Sequence, residues 1–75
     1  MTFPQYRKLD GFQRYYKILD ERAFIEIALV NGKPVATRIE AKQYPEMIRI
    51  QDMLHCEWSF CRMEEEEIDR YFSEN

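Results

Sequence analysis

His55-Cys56 and Cys61 are the residues of this 75-residue chain whose types come nearest to a metal or thiol site. A structural zinc ion takes about four ligands, usually including cysteine pairs about two to four residues apart. Here four residues separate the two thiols, the single His adjoins one of them, and no second pair follows. A nucleophilic cysteine with His55 as its base meets a geometric objection. Neighbours on a helix point about 100° apart, whereas a base must lie within hydrogen-bond reach of its nucleophile. Gly11 and Gly32 stand too far from other glycines to cradle a phosphate. The sequence therefore assembles no catalytic constellation and calls for no cofactor or metal. His55, Cys56 and Cys61 are kept as a thiol or metal alternative, against two packed cysteines and a His near a helix C-terminus.

Two further clusters could bind rather than react. Arg14, Tyr15, Tyr16 and Lys17 interleave base-stacking rings with phosphate-seeking cations, as single-stranded nucleic-acid binders do. The alternative is a strand whose aromatics face the core and whose cations face water. Glu64-Glu65-Glu66-Glu67, extended by Asp69, forms an acidic patch. Acidic residues also stabilise the first turn of any helix they open, by about 0.3–1 kcal/mol each. As a functional patch, Glu65, Glu66 and Asp69 would steer the chain towards a basic partner, as in a small acidic regulator or inhibitor.

Composition bounds these readings. The chain holds one domain, residues 1–75, and its 45% apolar content is too high for disorder. Net charge is -3, spread as +2 over residues 1–35 and -5 over residues 36–75. A general nucleic-acid binder would carry a basic excess. No run of about 20 apolar residues could span a bilayer, and the first eight residues lack a signal-like stretch. Two cysteines make no disulfide framework and suit a reducing, cytoplasmic setting. Aromatic residues reach 15%, more than a thin two-layer domain of this size could bury. Met53, Trp58, Phe60 and Met63 are the expected surplus, and such side chains are enriched where partners dock. The leading expectation is thus a non-enzymatic protein–protein interaction module, a homodimer or an acidic regulator, acting through Met53, Trp58, Phe60, Met63, Glu65, Glu66 and Asp69.

The elements that must position these residues are an α+β set: an antiparallel sheet of three to four strands with two C-terminal helices on one face. Residues 24–40 hold two β-rich runs around Asn31-Gly32, a hairpin signature. Pairing the more apolar positions, Ile25, Ile27 and Leu29 with Val35, Thr37 and Ile39, requires a three-residue loop, Val30-Asn31-Gly32. Gly32 then takes positive φ, Ile27 faces Val35, and Ile25, Ile27, Val35 and Ile39 share the buried face. Pro34 cannot donate to a ladder and places the second strand at an edge. Residues 12–19 fit a helical template at Phe12, Tyr15, Tyr16 and Leu19, but the β-rich Tyr-Tyr-Lys-Ile-Leu run favours a strand meander beginning near Tyr6. Pro45 and Glu46 open a helix running to about His55, with Met47, Ile50, Met53 and Leu54 inward. Residues 57–62 form a last strand or extended connection. A second helix from Glu64 to Ser73 turns Ile68, Tyr71 and Phe72 inward.

Overall fold

A computed structural model describes residues 2–57 and 59–72 of the chain, with side chains described to residue 70. Strands β1 (Gln5–Leu9), β2 (Arg14–Asp20), β3 (Ala23–Val30) and β4 (Lys33–Glu40) form a meander. Helix α1 (Tyr44–Leu54), strand β5 (Phe60–Arg62) and helix α2 (Glu65–Phe72) follow. The sheet has five antiparallel strands in the order β4-β3-β2-β1-β5, so the chain returns through α1 to add β5 beside β1. Residues 14–20 are a strand, as the β-rich run favours.

Both helices were expected on one face of the sheet; instead they lie on opposite faces. Successive residues of a strand point to opposite sides. On one side Tyr16, Ile18 and Phe24 pack with Leu9, Phe60 and with Ile50, Met53 and Leu54 of α1. On the other, Tyr6 and Ile27 pack with Ile68 of α2, flanked by Tyr15, Ile25 and Met63. The inner strands carry apolar side chains at both parities, so a helix on one face alone would leave the other wet. Three layers bury Tyr6, Tyr16, Phe24, Phe60 and Met53, much of the aromatic and methionine surplus expected from composition. The strand count is also corrected, from three or four to five, and α1 lies in mid-chain rather than at the C-terminus.

The same fact corrects the hairpin register. Asn31 (φ 53°) and Gly32 (φ 77°) both occupy the left-handed region and form a two-residue loop, setting Ile27 opposite Ala36 and Phe24 opposite Ile39. Two positive-φ residues give the hairpin turn whose twist matches that of paired strands. The three-residue loop rested on keeping the apolar positions together, but with both faces covered alternate positions of each strand serve opposite helices. The two-residue loop sets odd positions of β3 on the same face as even positions of β4. Ile25 and Ile27 thus face α2, while Val35 and Ile39 lie on the α1 side, and Val35 remains 48% exposed. Positive φ at Gly32 is as expected. A Cβ added there meets nothing within 4 Å, so only the backbone resists it. Gly32→Ala should cost on the order of 1 kcal/mol in urea unfolding; an unchanged midpoint would contradict the turn.

The ends of α1 are closed by neighbouring groups. Glu46 Oε1 accepts from the Lys42 and Gln43 N–H groups, at 3.3 and 3.2 Å. At the C-terminus the Cys56 N–H donates to Met53 O (3.2 Å) and the Glu57 N–H to Asp52 O (2.8 Å). This is the paired-bond helix stop that needs a left-handed residue, and Cys56 supplies it at φ 53°. Arg7 of β1, only 3% exposed, completes the closure: its Nε donates to Met53 O at 2.8 Å and its Nη2 to Leu54 O at 3.3 Å.

Candidate interaction surface

The residues expected to react do not converge. Cys56 follows α1 on the Arg7 side of the sheet, whereas Cys61 pairs with Lys8 and points to the α2 side. His55 is exposed. Among the described residues no group of three His, Cys, Asp or Glu side chains could hold a metal ion. Cys61 Sγ donates to Ser59 O at 3.7 Å.

The aromatic and basic cluster is divided by the pleat. Tyr16 is fully buried, and its ring meets Phe60 edge-on with centroids 5.5 Å apart. Tyr15 packs on the opposite face beside Ile68. Arg14 pairs with Glu26 at 3.4 Å. Glu26 also receives Arg49 of α1 at 2.8 Å, and Arg49 donates to the Tyr16 hydroxyl at 3.1 Å. Lys17 sits 6.0 Å from the centre of the Tyr6 ring. Two adjacent tyrosines on opposite faces, one of them buried, do not make a stacking platform.

Of the surface expected from composition, Met53 and Phe60 are interior and Met63 is partly buried against the second core. Trp58 lies outside the described residues, as do the side chains of Tyr71 and Phe72. Glu65, Glu66 and Asp69 are exposed on α2. Two of them act within the chain. Burial, then the charges of Glu65 and Asp69, push the Tyr6 phenol above its ordinary value of 10.0. Burial also raises Tyr16, with Arg49 pulling the other way. The charge asymmetry is thus partly internal: an acidic helix lies over the sheet face that carries Lys8 and Lys17.

These shifts set a pH dependence. Both phenols hold their protons more tightly in the folded than in the unfolded chain. Their contribution is full below about pH 10 and is lost as the pH rises through the folded values. Urea midpoints should therefore fall through the alkaline range, and Glu65→Gln should lessen the fall. A flat alkaline profile would contradict the placement of Tyr6 and Tyr16.

What remains open is the edge. Among the described residues β4 pairs with β3 on one side only, and six of its eight residues are exposed. The other edge, β5, is three residues long. Residues flanking a two-residue hairpin loop form a hydrogen-bonded pair, and such pairs alternate along the ladder. The Ala41 N–H donating to Arg22 O at 2.7 Å continues that alternation past the strand end. Lys33, Val35, Thr37 and Ile39 therefore bond inward to β3. Pro34, Ala36, Arg38 and Glu40 turn their backbone polar groups to solvent, and Pro34 has no N–H to offer. Val30 and Val35 are large apolar side chains exposed at this end of the molecule. Sequence reasoning placed an edge strand here from Pro34 but did not treat the edge as a site. The signal available was the strand's length together with only one proline. A second exposed apolar pair, Tyr44 and Ile48, lies one turn apart on α1.

An open depression of about 350 Å³ near the β2–β3 turn is lined by Phe3, Asp20, Glu21 and Arg22. Its polar groups are partly committed, since Asp20 Oδ1 accepts from the Arg22 N–H at 2.7 Å. No helix among the described residues is long and apolar enough to cross a membrane. No protein family, curated protein or solved structure matches this chain.

Proposed function

We propose that this chain is a non-enzymatic protein–protein interaction module that binds by strand addition at β4. The observation behind this reading is an eight-residue edge strand whose outward backbone groups at Ala36, Arg38 and Glu40 are offered to solvent beside exposed Val35. An exposed row of N–H and C=O groups is a template for another strand, and natural sheets commonly blunt such edges. Here Lys33 and Pro34 blunt the start of the edge, Arg38 and Glu40 carry opposite charges that pair with each other, and Val35, Ala36 and Thr37 lie unblunted between them. Main-chain bonds supply affinity in this mode, and alternate side chains supply selectivity. The acidic residues of α2 that point away from Tyr6, among them Glu66, add steering towards a basic partner.

The test uses a fluorescently labelled extended peptide of alternating Val and Thr, titrated with the protein and followed by anisotropy. Saturable binding is expected in the wild type. Ala36→Pro should abolish it, because that substitution removes an outward N–H and leaves the β3 ladder intact. Glu66→Gln should leave it within about twofold, since an exposed charge contributes little to affinity. No binding at protein concentrations where the chain sediments as a monomer, or equal binding by Ala36→Pro, would overturn the reading.

A further inference from the structure

We infer that the strand added at β4 is the β4 of a second copy of this chain, running antiparallel with Thr37 opposite Thr37 across a two-fold axis. The inference rests on the reading of β4 as a strand-accepting edge and names its partner. Only registers that set outward residues opposite outward residues can form inter-chain bonds, which restricts the choice to even shifts.

Three such registers centre on the strand. One sets Ala36 opposite Ala36, which puts Pro34 opposite Arg38 within the pairing and wastes an acceptor on each strand. Another sets Arg38 directly opposite Arg38, a like-charge pair that destabilises a ladder. The third sets Ala36 opposite Arg38 and Pro34 opposite Glu40. Every outward donor then finds an acceptor, giving about six inter-chain bonds, and the missing Pro34 N–H falls at the wet end of the ladder. On the α1 side this register sets Val35 opposite Ile39 on both sides of Thr37, so the exposed Val35 gains an apolar neighbour. On the α2 side the bulky Arg38 faces the small Ala36, and each Arg38 keeps its own Glu40 at 3.8 Å. Pro34 and Arg38 thus act as register selectors rather than as blocks. The two five-stranded sheets join into one continuous sheet with both α1 helices on the same face.

Odd positions form the non-hydrogen-bonded pairs of this seam, where Cα atoms approach to about 4.5 Å. That separation lies within disulfide range of about 4.4–6.8 Å. In a Cys56→Ser, Cys61→Ser background, Thr37→Cys should oxidise to a covalent dimer as the main species. Val35→Cys and Ile39→Cys should each stay monomeric alone, and their mixture should yield the mixed dimer. An unchanged far-UV spectrum verifies that each variant folds. Sedimentation of the wild type at about 0.1 mM should show dimer, a working range typical of weak edge pairing, and Ala36→Pro should return it to monomer. A wild-type monomer under those conditions would overturn the inference. So would Thr37→Cys cross-linking no faster than Val35→Cys. If the alternating peptide still binds in that case, the edge accepts strands and only the second copy is excluded. If the peptide also fails, the edge reading falls with it.

Discussion

Tyr16→Ala should cost about 3–5 kcal/mol, the range for removing a buried aromatic whose cavity cannot close. The Tyr16 ring is fully enclosed between Phe24, with centroids 6.1 Å apart, and Phe60 at 5.5 Å. Arg49 lies over it from α1, 5.5 Å from the ring centre. The substitution therefore loosens β2, β3, β5 and α1 together. A domain of this length holds only a few to about ten kcal/mol in all, so a large unfolded fraction should be visible without denaturant. Tyr16→Phe separates ring from hydroxyl. It removes one hydrogen bond from Arg49, which keeps Glu26, and should cost about 1 kcal/mol. Urea unfolding of the three proteins checks both values. A Tyr16→Ala midpoint close to wild type would mean that the α1-side core is not built around this ring.

Arg7→Ala should cost about 3 kcal/mol or more, for a different reason. Arg7 is buried, and no carboxylate among the described residues pairs with it. Its guanidinium is held by the carbonyls of Met53, Leu54 and Tyr6 and by Gln5 Oε1, at 2.8, 3.3, 2.8 and 2.7 Å. Burial lowers its pKa, partly offset by Cys56 nearby. The site stays favourable because the helix C-terminus carries partial negative charge and orphan acceptors that the fork of donors satisfies. Truncation removes the charged donor from all three carbonyls. Met53 O keeps the Cys56 N–H and Tyr6 O the Met63 N–H, while the Leu54 carbonyl loses its donor. The cost combines the lost charged hydrogen bonds, about 1.5–3 kcal/mol each, with one unsatisfied acceptor. Arg7→Lys should recover part of the loss, about half, since an ammonium supplies charge but not the planar fork. Helical signal lost by Arg7→Ala and partly regained by Arg7→Lys would be seen in circular dichroism melts. Equal loss in both would point to the fork alone, and no loss in either would refute the cap.

The part of the fold that sequence revealed is the part written in local chemistry. Asn31-Gly32 announced the hairpin, Pro45 and Glu46 the start of α1, and Tyr15-Tyr16-Lys17-Ile18-Leu19 a strand. The errors share one cause. Reading one apolar face per strand hid the second helix layer and shifted the hairpin register by one residue. The clue was in β3, where Ala23-Phe24-Ile25 and Ile27-Ala28-Leu29-Val30 are apolar at both parities, as in a strand covered on two sides. Arg7 was invisible for another reason. Nothing local distinguishes it from Lys8; only the return of α1 across the sheet gives one cation a helix end to close and leaves the other half-exposed. Met53 sits three residues after Ile50 on the inward stripe of α1, which already argued for core rather than surface. The edge at β4 was legible from Pro34, but its openness depended on where β5 would pair, and that is a long-range choice.

Residue-resolved amide exchange along β4 separates an edge that accepts a strand from one that does not. In the dilute protein the amides of Thr37 and Ile39, bonded into the β3 ladder, should be protected, while those of Ala36, Arg38 and Glu40 exchange freely. Adding the extended peptide, or raising the concentration of the chain itself, should protect Ala36, Arg38 and Glu40 and leave α2 unchanged. Protection that appears on α1 or α2 while these three amides continue to exchange freely would contradict strand addition at β4.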